Sequence, residues 1–545
     1  MKNKSLNLNI ILLILAFGLL INVGSYGVVE TSDARYAEIA REMFKDGDWI
    51  HPNLLNIHHY HKPPFTYQIT AVAYSIFGIN SFAARFFLQL SVLFQVWLVY
   101  QIALLLFRKK EMAILSAAIY ASLPLVLISS RNLTTDSFLT SFVLLAIYAW
   151  LKYYREEKSF YLYLFALSLG FGFYTKGPVV FIVVFIFSLL YSYFNPKKNK
   201  WNKHHFFAFL LFLVTGLWWY LFLAYENSDF IDYFLGKQTL ERFAKNSFHR
   251  AMPWWYFIVL APITTAPWAL LWPYFIKEQH NELKKNKIVL SLFLAILIPI
   301  FFFSLSTSKR ILYILPFYGF IALLTAYFIL NSSPKKQKTA FNFISIFYLF
   351  FPLSMIIAFF LEAEFILPVA LFIFSILYLF VILYIWNNKR MNLIQKFIYN
   401  AVLFSVFILI ASGKFMSENA LLINSPKPLT EFIKEKKLDT KTIYIYNSRQ
   451  PSISFELNKP VISLYKNSND LNRETQFENN LTWKNYLINV NNPDEWNSLQ
   501  KKIQENQGVL ITFKVKEKDT ILSKLMKYYQ DKKVFGKYTV FYGLK

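Results

Sequence analysis

The chain is cut into about thirteen apolar runs, each near the roughly 20 residues a helix needs to cross a bilayer. They lie at 8–28, 82–107, 112–129, 135–153, 160–175, 178–194, 205–224, 254–275, 288–305, 310–330, 339–360, 364–386 and 396–413. Little else is open to such a sequence. In hydrocarbon every backbone N–H and C=O must be satisfied within the protein, and continuous apolar runs without alternation do this as α-helices. Residues 1–413 therefore read as a membrane-embedded domain.

The intervening loops set the orientation. Alternate loops carry Arg108-Lys109-Lys110, then Lys152, Arg155 and Lys158, then Lys197, Lys198, Lys200 and Lys203. The series continues with Lys284, Lys285 and Lys287, with Lys335, Lys336 and Lys338, and with Lys389-Arg390. If the N-terminus is cytoplasmic, all of them are cytoplasmic, as basic loops of membrane proteins generally are. Lys2 and Lys4 precede the apolar run Leu6–Val29, which lacks a small-residue cleavage site before Glu30 and reads as an uncleaved first span. Loops 29–81, 130–134, 176–177, 225–253, 306–309 and 361–363 then share the outer face.

Composition excludes several classes. Hydrophobic residues make up 56% and charged residues 16% of the 545, against about 25% charged in soluble domains. The net charge of +25 sits in short runs between apolar segments, so it reports orientation and attraction to anionic membrane lipids, not nucleic-acid binding. With no cysteine there is no disulfide framework, thiolate nucleophile or Cys-type zinc site. Trp218-Trp219-Tyr220 and Trp254-Trp255-Tyr256 suit either an aromatic belt at the headgroups or core packing.

Within loop 29–81, residues 33–46 set Ala34, Ala37, Ala40, Met43 and Phe44 against Arg35, Glu38, Arg41, Glu42 and Lys45. That spacing predicts an interfacial helix with a mostly solvated charged face and Ser32 as N-cap. Residues 64–78, closed by Gly78, read as interfacial or re-entrant. Beyond 413 the chain turns polar, with strand-like runs at Lys441–Tyr446, Val509–Val515 and Tyr538–Tyr542 and helical patterns at 427–437 and 495–505. Residues 414–545 are thus expected to form a small α/β domain on the outer side.

The outer loops gather the residues that could carry chemistry. Glu30, Asp33 and Arg35 follow the first span, and His58, His59, His61 and Lys62 precede Pro63-Pro64. Arg131, Asp136, Lys176, Glu241, Arg242, His249, Arg250, Lys309, Arg310 and Tyr313 complete the set. Charges at a membrane boundary usually pair or serve a site. Each also has an ordinary reading: Asp136 as a helix cap, Lys176 beside Gly177 as a partner for C-terminal carbonyls, His58 and His59 as loop residues.

Ser32-Asp33-Ala34-Arg35-Tyr36-Ala37-Glu38, Gly47-Asp48-Trp49 and Tyr60-His61-Lys62-Pro63-Pro64 closely resemble the first outer loop of one family. These are the polyprenyl-phosphate-sugar-dependent glycosyltransferases related to protein O-mannosyltransferases, in particular the 4-amino-4-deoxy-L-arabinose lipid A transferases. Thr135-Asp136, Thr175-Lys176-Gly177-Pro178, Glu241-Arg242-Phe243 through His249 to Pro253-Trp254-Trp255-Tyr256, and Lys309 through Pro316 resemble later family segments in order. The likeness covers most of residues 30–320 and implies a GT-C type architecture of about thirteen spans with a C-terminal outer domain.

It also implies an outer-face site in which a sugar on undecaprenyl or another polyprenyl phosphate passes to lipid A or a related envelope glycan, in a bacterial inner membrane with the site and C-terminal domain periplasmic. Asp33, Asp136 and Glu30 become candidate catalytic carboxylates. Lys62, Arg35, Arg242, Lys309 and Tyr313 become candidate groups for the donor phosphate. Two departures stand out. Ser32-Asp33 replaces the Asp-Glu frequent in relatives, and His61 replaces the Glu that precedes Lys-Pro in aminoarabinose transferases. That Glu and the second-loop His resemble metal ligands there, so His61 and His249 become candidate ligands for a divalent ion, zinc by ligand type. A protein or polysaccharide acceptor is the alternative within the class. A flippase is the alternative outside it, and the nearly charge-free span interiors argue against it.

Overall fold

The computed structural model describes residues 7–197, 201–241, 251–361, 364–466, 471–506, 508–514 and 519–544. Arg242, His249 and Arg250 lie outside them. In chain order the first ten helices are α1 (Leu8–Leu20), α2 (Ser32–Asp46), α3 (Phe65–Phe77), α4 (Ser81–Phe107), α5 (Lys110–Ser122), α6 (Pro124–Ser130), α7 (Thr135–Glu156), α8 (Ser159–Lys176), α9 (Val179–Phe194) and α10 (Lys203–Glu226). The chain divides into two compact units: Met1–Ile21 with Leu88–Ser412, and Asn22–Phe87 with Gly413–Lys545. The first outer loop therefore belongs with the C-terminal residues.

The first unit is helical. Among the described residues, eight helices are long and apolar enough to cross a membrane, or up to ten if each of two bent pairs is one span. Two shorter apolar helices, α1 and α9, fall outside that length test, so the count of about thirteen is not matched by length alone. Every apolar run contains helix, but α1 stops at Leu20, where Ile21 turns extended, and α9 is also short. Proline breaks two other runs. α5 and α6 meet at 61° across Leu123, held extended by Pro124. The run 254–275 splits into Tyr256–Thr264 and Ala269–Lys285, bent by 107°, with Pro262 inside the first piece and Pro267 in the break. Gly177, at φ +80°, turns the chain between α8 and α9.

A buried polar seam runs between α4 and α7. The Gln95 amide donates to Ser137 O at 2.7 Å and Ser141 Oγ at 3.0 Å, and its Oε1 accepts from Tyr120 at 2.7 Å. Gln89 donates to Ser130 O at 2.7 Å. In an apolar surround an amide left unpaired is costly, so these bonds fix the register of the first turn of α7 against α4. Arg131 is bound by carbonyls: Leu19 O at 2.9 Å, Gly18 O at 3.1 Å and Leu409 O at 2.7 Å.

The second unit contains α2, α3 and a six-stranded sheet of order β3-β2-β1-β4-β6-β5. The strands are β1 (Ile443–Tyr446), β2 (Ile462–Tyr465), β3 (Leu487–Asn489), β4 (Val509–Phe513), β5 (Tyr529–Phe535) and β6 (Tyr538–Leu544). β1 pairs in parallel with β2 and β4, and β2 with β3, while β6 joins β4 and β5 antiparallel. All four residues of β1 are buried, as parallel central strands require.

Helix α2 forms where expected, closed by Gly47 at φ +73°, but two details differ. Thr31 occupies the N-cap position, not Ser32, and makes no side-chain cap bond. Most of the charged face is not solvated: Glu38, Arg41 and Glu42 are buried, Arg35 is half-buried and Lys45 alone of the five is exposed. Arg41 makes a two-pronged pair with Glu38 at 2.7 Å per bond and reaches Ser454 Oγ at 3.5 Å. The helix Pro451–Leu457 covers that face.

Candidate functional site

In the first unit three elements converge on one ion pair. Asp136 stands in the first turn of α7 and Lys176 is the last residue of α8. They form a salt bridge with side chains about one-tenth exposed. Lys176 Nζ also lies 4.6 Å from the centroid of the Tyr313 ring, in the 3-10 segment Ile311–Phe317. A cation over an aromatic face gains from the ring quadrupole. A carboxylate, an ammonium and a phenol therefore meet at the ends of helices. Thr134, at the N-cap position of α7, makes no side-chain cap bond. Gly177 makes room beside Lys176: a Cβ there would lie 3.2 Å from Phe234 Cζ.

Lys309 is buried and bound to carbonyls, donating to Met252 O at 2.9 Å and to Ser306 O. It ties the end of the second long loop to the turn before Ile311–Phe317, so part of its donor capacity is committed to positioning.

The second unit holds the other candidates. Asp33 is buried and accepts Val29 N–H at 2.9 Å, and Arg85 Nε at 3.0 Å with a second guanidinium contact to Nη2. Arg85 also donates to Val23 O at 2.9 Å and Gly27 O at 2.7 Å. The sequence reading passed over Arg85. Its one signal was a lone arginine inside an apolar run, which ordinarily marks a partner or a site.

Glu30 accepts Ser452 N–H at 2.8 Å, near the start of the helix Pro451–Leu457. Burial pushes its carboxyl up to about 7, against the Ser452 bonds. The native state then keeps a proton that an unfolded chain releases from about pH 4.5. This stabilisation is complete below pH 4.5 and is lost as pH rises through 7, worth roughly 3 kcal/mol at most. Glu30→Gln should flatten the fall in melting temperature between pH 5 and 8; an unchanged slope would refute the assignment.

Arg35 is half-buried, Lys62 likewise, and His61 buried. His61 lies with its ring 4.0 Å from that of His59. Burial, then His61, Arg35, Arg449 and Arg473, hold the His59 imidazole well below its usual range. Glu474 Oε2 lies 4.0 Å from His59 Nδ1 and pairs with Arg449 at 2.6 Å. Among the described residues no three His, Asp or Glu side chains are gathered to hold a metal. The expected His61–His249 pair has only one placed member, and Arg242 is likewise unplaced.

Residues 7–234 match the dolichyl-phosphate-mannose-protein mannosyltransferase family. Among curated proteins, an undecaprenyl phosphate-alpha-4-amino-4-deoxy-L-arabinose arabinosyl transferase of Pseudomonas fluorescens is 30% identical over 339 residues, 61% of this chain and 62% of that protein. One from Proteus mirabilis is 28% identical over 346 residues, 62% and 63% of the two chains. The match thus spans less than two thirds of these relatives' length. ArnT from Cupriavidus metallidurans, solved bound to undecaprenyl phosphate, superposes with a TM-score of 0.78 at 18% identity, covering 98% of this chain and 97% of that one. The resemblance read from the outer-loop motifs is borne out. The chain is a multi-pass membrane protein with the GT-C fold of ArnT.

Proposed function

We propose that this protein is a glycosyltransferase that takes a sugar from undecaprenyl or a similar polyprenyl phosphate and passes it to lipid A or a related glycolipid, on the periplasmic face of a bacterial inner membrane. The observation that carries the reading is the Asp136–Lys176–Tyr313 group within a fold shared with a transferase solved on undecaprenyl phosphate. The curated relatives named for aminoarabinose transfer support the donor class.

The chemistry follows from the charges. The bond between the sugar's anomeric carbon and the phosphate oxygen breaks, and the polyprenyl phosphate leaves with added negative charge. Lys176, already near Tyr313, meets that charge when its bond to Asp136 is exchanged for one to phosphate. An oxygen of the acceptor forms the new bond to the anomeric carbon. An acceptor phosphate is already an anion and needs no base, so Asp136 then orients the sugar and Lys176.

A protein acceptor is the second reading, favoured by the family that residues 7–234 match. There a hydroxyl attacks, and a carboxylate must take its proton. Asp136 is the carboxylate assigned to it.

Mass spectrometry of lipid A from cells with and without the gene, and from a Lys62→Ala strain, separates the readings. Loss of one sugar-sized mass in both mutants is the expected result. Unchanged lipid A would overturn the lipid acceptor and direct the search to glycoproteins and surface polysaccharide.

A further inference from the structure

The C-terminal part of the second unit starts at the end of the last apolar run. The helix Leu393–Glu418 is long and apolar enough to cross a membrane, and its final residues, from Gly413, belong to this unit. Lys414, paired with Glu418, is the first charge after the run. The chain then closes into a tight turn, with Leu422 N–H donating to Asn419 O at 3.0 Å. From Lys414 to Leu422 it rises about 12 Å at helical pitch. The headgroup layer takes up roughly 5–8 Å of that. The turn therefore lies within about one Debye length, ~8 Å at physiological ionic strength, of lipid phosphate.

One end of the sheet meets that turn. A Cβ on Gly536, between β5 and β6, would lie 3.6 Å from Leu421 Cβ. Lys537 Nζ donates to Asn424 Oδ1 at 3.1 Å. Lys514 N–H donates to Lys537 O at 2.8 Å, which brings the end of β4 alongside. Lys514, Lys532, Lys533 and Lys537 are all exposed here, with Lys533 Nζ 4.2 Å from the centroid of the Phe432 ring. Among the described residues none of the four forms an ion pair, whereas Lys466 and Lys484 of the same sheet domain pair with Asp519 and Glu495. Asp531 is the only carboxylate of the β5–β6 hairpin, so this end stays positive. Two large apolar side chains stand beside the lysines, Leu422 at 53% and Val534 at 62% exposed.

Lysines on an edge strand also deter strand addition. That accounts for Lys532 and Lys533 on β5. It does not account for Lys514 and Lys537, which follow β4 and precede β6, nor for Leu422 and Val534. Lysine stems lying along apolar side chains, with the ammonium groups held out, match a headgroup layer. Binding of that kind grows with apolar burial and with the anionic charge of the lipid together.

We propose that this end of the sheet is a membrane-docking surface: Leu422 and Val534 enter the headgroup layer around the last span, and Lys514, Lys532, Lys533 and Lys537 bind the headgroups of anionic phospholipid. The inference goes beyond the transferase reading and does not rest on it.

Full-length protein in nanodiscs tests it. The chain has no cysteine, so Leu422→Cys and Val534→Cys each give a single site for a fluorophore, quenched by lipids spin-labelled in the headgroup. Quenching at both sites should be about threefold stronger when phosphatidylglycerol is added to phosphatidylcholine, and molar salt should remove the excess. Lys532→Gln with Lys537→Gln should at least halve that excess. Lys524→Gln with Lys527→Gln removes the same charge from exposed positions leading into the other end of β5, and should leave it intact. Equal quenching in the two bilayers, an excess that survives salt, or equal loss in both double variants would overturn the proposal. Inorganic phosphate at matched ionic strength should change nothing; release by phosphate would make the lysines a soluble-anion site and also overturn it.

Discussion

Asp136→Asn is expected to lower sugar transfer by about 100- to 1000-fold, the usual effect of removing one electrostatic partner of a developing charge. The substitution keeps the size of the side chain and removes its charge, leaving Lys176 with Tyr313 as its remaining close partner. Lys176→Met should fall by a similar factor, because phosphate then departs without that ammonium. The decisive variant carries both changes. If the pair only holds α7 to α8, removing both charges together restores most of the loss, as happens when a buried ion pair is replaced by neutral groups. If the pair is chemical, the double variant transfers no faster than the slower single one. Purified protein with a polyprenyl-phosphate sugar gives the rates, and wild-type activity in the double variant would remove the pair from the site.

What the sequence could and could not disclose follows from the range of the interactions. The apolar runs were legible because hydrocarbon imposes one solution on the backbone within each run. The broken runs were not, although Pro124, Pro262 and Pro267 were in view, since run length alone does not reveal a bend. β1, β4 and β6 were read as strand-like runs, whereas β2 and β3, four and three residues long, were not. β5 carries Lys532 and Lys533 on an exposed edge, where charge is a common device against strand addition. Glu38 and Arg41 at helical spacing look the same on a wet face and a buried one. Only the helix Pro451–Leu457, contributed from far along the chain, decides between them. Lys176 was read as a partner for carbonyls because its carboxylate lies 40 residues earlier, on another helix. The alternation of basic loops nevertheless placed Asp136, Lys176 and Tyr313 at helix ends on a common face before any distance was known.

Arg85→Leu is expected to destabilise the second unit by about 3–5 kcal/mol, the effect of breaking a buried pair from one side. Arg85 is fully buried, and its guanidinium serves Asp33, Val23 O and Gly27 O together. Without it the Asp33 carboxylate retains the Val29 N–H but loses both guanidinium contacts. Arg85→Lys keeps the charge but not the planar fork, and should fall between Leu and wild type in a fluorescence melting experiment. The same pair decides what Asp33 does. A carboxylate whose work is to neutralise Arg85 becomes dispensable once Arg85 is gone, so Arg85→Leu with Asp33→Asn should recover both melting temperature and transfer. A carboxylate that touches the donor sugar or takes a proton stays indispensable, so the double variant would recover the melting temperature alone. Recovery of neither would mean that the carbonyls of Val23 and Gly27, and not Asp33, are what the guanidinium chiefly holds.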